Sequence, residues 1–152
     1  IPMNLMRRGR AGYVVTGNFA NKAYQEAAKY GEAVLLASSE DTNFDRIPAM
    51  PDVNARIAAE TAGDGLDYVY ICQNNTIFGT MYHELPNCGD MPLVADVSSC
   101  FLSQPLDVER YGLIYAGAQK NRRYRGRDRG HRARRPHRQR PRLCADAAVH
   151  GP

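Results

Sequence analysis

Five short apolar runs punctuate the chain: residues 13–16 (YVVT), 33–37 (AVLLA), 68–71 (YVYI), 92–96 (PLVAD) and 113–116 (LIYA). Each is rich in β-branched or aromatic side chains, and most are continuous rather than alternating. A half-exposed strand alternates apolar with polar positions, whereas a continuous run suits a strand buried on both faces, as in a parallel sheet. The stretches between them carry helical spacing. Ala23, Ala27 and Tyr30 fall at i, i+4 and i+7 within residues 18–30, and Gly31 is placed to end that helix. Asp52 can cap a helix over residues 53–61, with Gly63 just beyond it. Strand–helix alternation predicts an α/β domain with a largely parallel sheet. Ligands of such sheets bind at the carboxyl ends of the strands. The informative residues are then Thr16-Gly17-Asn18-Phe19 and the stretches 73–76, 96–99 and 117–121.

Length and composition set outer bounds. At 152 residues and 43% hydrophobic content the chain is long enough for one domain with a real core. No apolar run approaches the roughly 18–20 residues of a membrane span. The opening Ile1-Pro2-Met3-Asn4 is followed by Arg7, Arg8 and Arg10 rather than by an apolar stretch and cleavage site, unlike a signal peptide. The expectation is a soluble, cytoplasmic protein without a membrane partner.

Charge changes this picture. The net +4 of 20 Lys+Arg against 16 Asp+Glu is an average over two unlike parts. Residues 1–121 hold 9 basic and 14 acidic side chains, net −5; residues 122–152 hold 11 basic and 2 acidic, net +9. An Arg-rich arm that neutralises nucleic-acid phosphates is one reading of that tail. A disordered, solvated end is another. However, all 11 cations are Arg and none is Lys, an exclusivity that phosphate binding does not require. A GC-rich gene read out of frame, by contrast, yields the CGN codons of Arg readily. Codons allowed for residues 122–135, read one base later, can give Gly-Gly-Ile-Ala-Gly-Val-Thr-Val-Val-Ile-Val-Arg-Asp-Asp. From Pro136 onward they can give Leu-Ile-Gly-Ser-Ala-Arg-Ala-Phe-Ala-Pro-Thr-Pro-Pro-Ser-Met. The Arg-rich tail becomes a small-residue loop and a Val/Ile run with the look of a buried strand. We expect the tail to be a non-native, out-of-frame product and nucleic-acid binding to be the minor alternative.

Candidate chemistry is sparse. The cysteines at 72, 88, 100 and 144 form no CxxC pair, which argues against zinc and thioredoxin-type sites and leaves them as small apolar filler. No metal site is expected. His83 stands without partner ligands, and Asn74-Asn75-Thr76 matches a glycosylation sequon that means little without a secretory signal. There is no P-loop and no GxGxxG. Two residues at strand ends stand out. Asp96 closes the run PLVAD, where a buried carboxylate needs a partner. Lys120 follows LIYAGAQ, and 24 residues separate the two, room for one helical excursion. A Lys with lowered pKa can attack an aldehyde, and a carboxylate can hold a pyridine nitrogen protonated. This pair is what pyridoxal phosphate requires, though spacing alone leaves open a helix-capping Asp and a solvated Lys.

The strings themselves go further. PLVADVSSCFLSQPLDVERYGLIYAGAQKN closely resembles the segment of the phosphoserine aminotransferase family that runs through its cofactor lysine. The likeness starts at IPMNLMRRGRAGYVVTGNFANKAYQEAAKYGE, continues through ICQNNTIFGTMYHELP and covers residues 1–121. The resemblance implies a class V pyridoxal-phosphate enzyme of aspartate-aminotransferase fold, with residues 1–121 as part of its large domain. It implies amino transfer between glutamate and 3-phosphohydroxypyruvate in serine biosynthesis by a homodimer. Residue by residue, it implies that Lys120 attaches the cofactor and shuttles the substrate proton, and that Asp96 holds the ring N–H. Thr76 would hydrogen-bond the ring phenolate oxygen and Gln119 would reach the phosphate. Phe19 stands where the family has a stacking Trp, with Ser98 and Ser99 nearby. Another class V aminotransferase acting on small amino acids is the alternative within this class. By the same resemblance the chain is expected to lack an upstream Gly-rich phosphate turn and the downstream domains, and to be inactive alone. After AGAQKN the family continues through a Gly-Pro-Ala-Gly-like loop into a Val/Ile strand, the order that the shifted tail reproduces.

Sequencing the encoding DNA on both sides of the Asn121 codon checks the tail: the expected outcome is that the second frame continues the family pattern, and a second frame without a sensible strand overturns it.

Overall fold

In a computed structural model of the protein, residues 1–117 are described. A short helix α1 (Pro2–Leu5) leads into strand β1 (Arg10–Val15), helix α2 (Asn18–Ala27), strand β2 (Glu32–Ser38) and helix α3 (Met50–Ala62). Strand β3 (Val69–Cys72) is followed by a hairpin of two short strands, β4 (Asn74–Asn75) and β5 (Thr80–Met81), and then by β6 (Leu93–Asp96) and β7 (Leu113–Tyr115). All five predicted strands are present. They form one sheet in the order β2-β1-β3-β6-β7 in which every pairing is parallel, so the chain has an α/β fold.

Burial follows position in the sheet. Strands β1, β3 and β6 lie inside and are buried almost throughout, whereas the edge strands β2 and β7 are only partly covered. Val14, Val69, Ile71, Leu93, Ala95 and Val97 pack on one face with Met50, Val53 and Ile57 of α3. Tyr13, Val15, Tyr68, Tyr70 and Val94 pack on the other with Ala20 and Ala27 of α2. One helix therefore covers each face, as the period-2 alternation of strand side chains demands. Cys72, Cys88 and Cys100 are buried in these clusters as apolar filler. Burial pushes the Cys88 thiol up to about 11 and raises that of Cys100, so both stay uncharged at neutral pH. Among the described residues no group of His, Cys, Asp and Glu could hold a metal ion. None of their helices is long and apolar enough to cross a membrane.

Both helix ends differ from the sequence-based expectation. Helix α2 stops at Ala27 instead of reaching Tyr30, and two tight turns follow, with Lys29 and Tyr30 donating to the carbonyls of Glu26 and Ala27. Gly31 serves close approach rather than helix termination. A Cβ there would sit 2.5 Å from the Gly9 carbonyl oxygen, which accepts from the N–H of Glu32 as β2 begins. Helix α3 starts at Met50, not at Val53, and Ala49 rather than Asp52 occupies the cap. Pro51 explains the earlier start, because in the first turn its missing N–H costs nothing. Asp52 instead sits inside that turn, where its charge suits the positive helix end. The β1–β2 register also slips between Tyr13 and Val14, leaving Leu36 unpaired against the bare Cα of Gly12.

The amino end of β1 is fastened by charge. One Asp67 carboxylate oxygen accepts from the backbone N–H groups of Arg8, Gly9 and Arg10, at 2.8, 3.1 and 3.4 Å. Arg10 donates to Glu32, to Glu60 and to the Gly65 carbonyl, joining β1, β2 and the end of α3. Asp67→Ala leaves three amides without their acceptor and is expected to cost about 1–3 kcal/mol in urea unfolding; an unchanged midpoint overturns this. Hydrogen bonding to Arg10 holds the Glu32 carboxyl below its usual range. Its contribution is therefore present above the unfolded value and lost as pH falls through the lowered folded one. Because Glu32 is exposed, the difference between wild type and Glu32→Gln is expected to be small, present at neutral pH, lost in acid and erased by high salt.

Candidate functional site

Every strand of the parallel sheet ends on the same edge, and that edge collects polar residues. Thr16 and Gly17 follow β1, Gln73 to Thr76 follow β3, Ser98 and Ser99 follow β6, and Gly117 follows β7. Side chains stitch these exits together. The Asn75 amide donates to the hydroxyls of Thr16 and Thr80, both at 3.1 Å. The Asn74 amide donates to Ser99 Oγ at 2.8 Å, and the Ser99 hydroxyl donates back to the Asn74 carbonyl at 3.0 Å. Ser98 Oγ accepts from the Gly117 N–H at 2.8 Å. The exits of β1 and β3, of β3 and β6, and of β6 and β7 are thus each joined by a direct hydrogen bond. Thr16 and Asn75 are buried, so their mutual bond satisfies groups that would otherwise be costly.

Asp96 is the last residue of β6 and only partly buried. One carboxylate oxygen accepts from the Ser98 N–H at 2.8 Å, a local turn that sets the side-chain direction. Its register partners are Cys72 on β3 and Tyr115 on β7. Asp96 therefore projects to the face of the sheet that carries Tyr70, Tyr13 and helix α2. Phe19, in the first turn of that helix, is 53% exposed, with the Lys22 ammonium 5.8 Å from its ring centroid. Thr76 opens the turn between β4 and β5 and is exposed. Phe19, Thr76 and Asp96 accordingly share the carboxyl edge. Gln119 and Lys120 lie outside the described residues, as does the whole 122–152 tail.

The strand-exit rule located the edge but missed its inner ties. Asn75 falls within the strand-exit stretch 73–76, but nothing local names Thr16 as its partner, and in the sequence Tyr115 is only part of an apolar run. A pair of Asn residues directly after a buried strand was the available signal for the first. Nothing in the run LIYA marked the second.

No family model matches the chain. Curated proteins do. It is 49% identical over 122 residues to a phosphoserine aminotransferase of Bacillus thuringiensis, covering 80% of this chain and 32% of that protein. To the Paraburkholderia phymatum phosphoserine aminotransferase it is 46% identical over 123 residues, with the same coverage. The chain is homologous to about a third of phosphoserine aminotransferase. Solved structures agree. The phosphoserine aminotransferase of Bacillus circulans subsp. alkalophilus superposes with a TM-score of 0.71 at 39% identity, over 79% of this chain and 32% of that one. The pyridoxal-phosphate-bound phosphoserine aminotransferase of Trichomonas vaginalis does so at 0.65 and 29% identity, over 80% and 33%. These homologues are pyridoxal-phosphate-dependent transferases, and this chain spans about a third of their length.

A Cβ on Gly17 would stand 2.7 Å from Asn75 Oδ1. Gly17→Ala is therefore expected to destabilise by about 1–3 kcal/mol, and by clearly less in an Asn75→Ala background. Equal costs in both backgrounds, measured by urea unfolding, overturn the tie between these two exits.

Proposed function

We propose that residues 1–121 are part of the large domain of a pyridoxal-phosphate-dependent phosphoserine aminotransferase, which moves the amino group of glutamate onto 3-phosphohydroxypyruvate in serine biosynthesis. The observation that carries this reading is the position of Asp96: a carboxylate fixed at the carboxyl end of an interior parallel strand, with an accessible edge and an exposed aromatic ring on the same side of the sheet. That donor set fits the cofactor. Bound there, pyridoxal phosphate supplies an electron-withdrawing ring that stabilises negative charge at the substrate Cα.

The chain's own residues would do the rest. Asp96 accepts the hydrogen bond of a protonated ring nitrogen and keeps the proton there. Phe19 gives a flat apolar face; relative to Trp it offers less stacking area and no N–H donor, so cofactor affinity falls below that of a Trp enzyme. The Thr76 hydroxyl donates to a phenolate oxygen, and Gln119 donates to a phosphate oxygen. The Lys120 amine would hold the cofactor and would carry the proton to and from the substrate Cα. The intact protein acts as a cytoplasmic homodimer, and residues 122–152 are an out-of-frame tail rather than a nucleic-acid arm.

A chimera tests the assignment: residues 1–121 replace the homologous segment of the Bacillus thuringiensis enzyme. It is expected to form phosphoserine from glutamate and 3-phosphohydroxypyruvate, and Lys120→Ala is expected to lower the rate by at least about a hundredfold. A folded, dimeric chimera that makes no phosphoserine overturns the reading.

A further inference from the structure

The loop after β2 holds a bulky residue in a conformation that bulky residues rarely adopt. Asn43 and Phe44 follow one another at φ +56° and +61°. Asn tolerates this left-handed region, whereas Phe is strained there. The strained residue is also well anchored. The Phe44 N–H donates to the Ser39 carbonyl at 2.8 Å, and the Ser39 N–H donates to the Val15 carbonyl at 3.2 Å. The backbone of Phe44 is thereby tied to the ends of β1 and β2. Its side chain is buried and joins Tyr13, Val15 and Tyr70 in the cluster on the α2 face. There its ring centroid lies 5.0 Å from that of Phe78, with the planes tilted by 58°, a spacing at which aromatic rings attract.

Phe78 belongs to the turn between β4 and β5. The N–H groups of Phe78 and Gly79 both donate to the Asn75 carbonyl, at 3.1 and 2.9 Å, and close a tight turn around Thr76 and Ile77. Both of these residues are exposed. The hairpin stands outside the five-stranded sheet. At its base the Asn75 amide reaches Thr16. Near its tip Phe78 is partly buried against the α2-face cluster that contains Phe44.

We propose that Phe44 is a positioning residue for Thr76: its ring, held by a strained backbone against Phe78, fixes the tilt of the β4–β5 turn on the α2 side of the sheet. Its functional meaning rests on the role given to Thr76 above. One attachment at the base leaves a two-residue hairpin free to hinge about it. A second attachment near the tip removes that freedom, and both lead back to the end of β1, through Thr16 and through Ser39 to Val15. A hydroxyl that must meet one ring oxygen needs placing to within about 0.5 Å. Gly at position 44 would suit the backbone but lose the ring. A bulky residue kept against the local backbone preference marks the ring as the part that matters.

The test labels threonine methyl groups with 13C in the full chain and assigns Thr76 by its loss in Thr76→Ser. Phe44→Ala and Phe44→Gly are expected to displace the Thr76 resonance equally, although the glycine variant is relieved of strain and unfolds at the higher urea concentration. A displacement that instead follows the urea midpoint, smaller for Gly than for Ala, marks a merely structural role and overturns the proposal. Ile57→Ala empties a buried position on the opposite face and is expected to leave the resonance in place. A resonance unmoved by the Phe44 variants, or moved as much by Ile57→Ala, also overturns it. Where Phe44→Ala does not fold, Phe44→Gly decides: displacement supports the tie and its absence overturns it. Pyridoxal-phosphate affinity of the chimera reads the role of Thr76 separately. Weaker binding in Thr76→Val supports that role, and unchanged binding removes it while leaving the placement of the turn by Phe44 standing.

Discussion

A parallel strand covered on both faces leaves a polar side chain one place to go, which is the end of the strand. In β1, β3 and β6 the backbone is committed to the ladder and both faces are sealed by apolar packing. A charge in the middle of such a strand would have neither water nor partner, at a cost of several kcal/mol in effective terms. Thr16, Gln73 and Asp96 therefore mark the points where their strands run out. Because all five strands point the same way, their ends meet on one edge. The chemistry of the site is a consequence of how the sheet excludes water.

The two edges of the sheet are held by different means, and each suits its task. At the amino edge, ion pairs and a carboxylate that gathers three amides lock β1 to β2 and α3. At the carboxyl edge the ties are neutral: Asn to Thr, Asn to Ser, and Ser to a glycine amide. Neutral amides and hydroxyls fix the loops without placing a fixed charge that would compete for Asp96. Opposite charges near a carboxylate would hold it in place but would also spend it on an internal salt bridge. Asp96 is held instead by a donor that carries no formal charge, the Ser98 amide.

Much of this was legible in the sequence, and the boundary has physical causes. The strands could be read because two-sided burial writes a continuous apolar run, and even β2, which alternates in the structure, carries enough of one. Asp96 could be read because it breaks such a run at its end. The helix ends could not. Gly31 is explained by a backbone oxygen 22 residues away, at Gly9, and not by the helix before it. The Asn75–Thr16 bond joins residues 59 apart, a contact that no local pattern announces. Tyr115 was hidden for another reason. Hydropathy counts tyrosine as part of an apolar run, and only the fold shows its hydroxyl reaching Tyr70 on β3.

Tyrosine is the residue that allows both demands to be met on the α2 face. Phe in its place would seal the sheet equally well but would add no hydrogen bond beneath the helix. A Ser or Thr hydroxyl would donate but leave a void beneath the helix. With Tyr the ring fills the layer and the phenol travels with it, provided that each phenol finds an acceptor. Four of them solve this by pairing, Tyr13 with Tyr68 and Tyr70 with Tyr115, the second bond reaching across β6. The ring of each of these tyrosines thus completes the apolar layer while its hydroxyl adds a tie between strands.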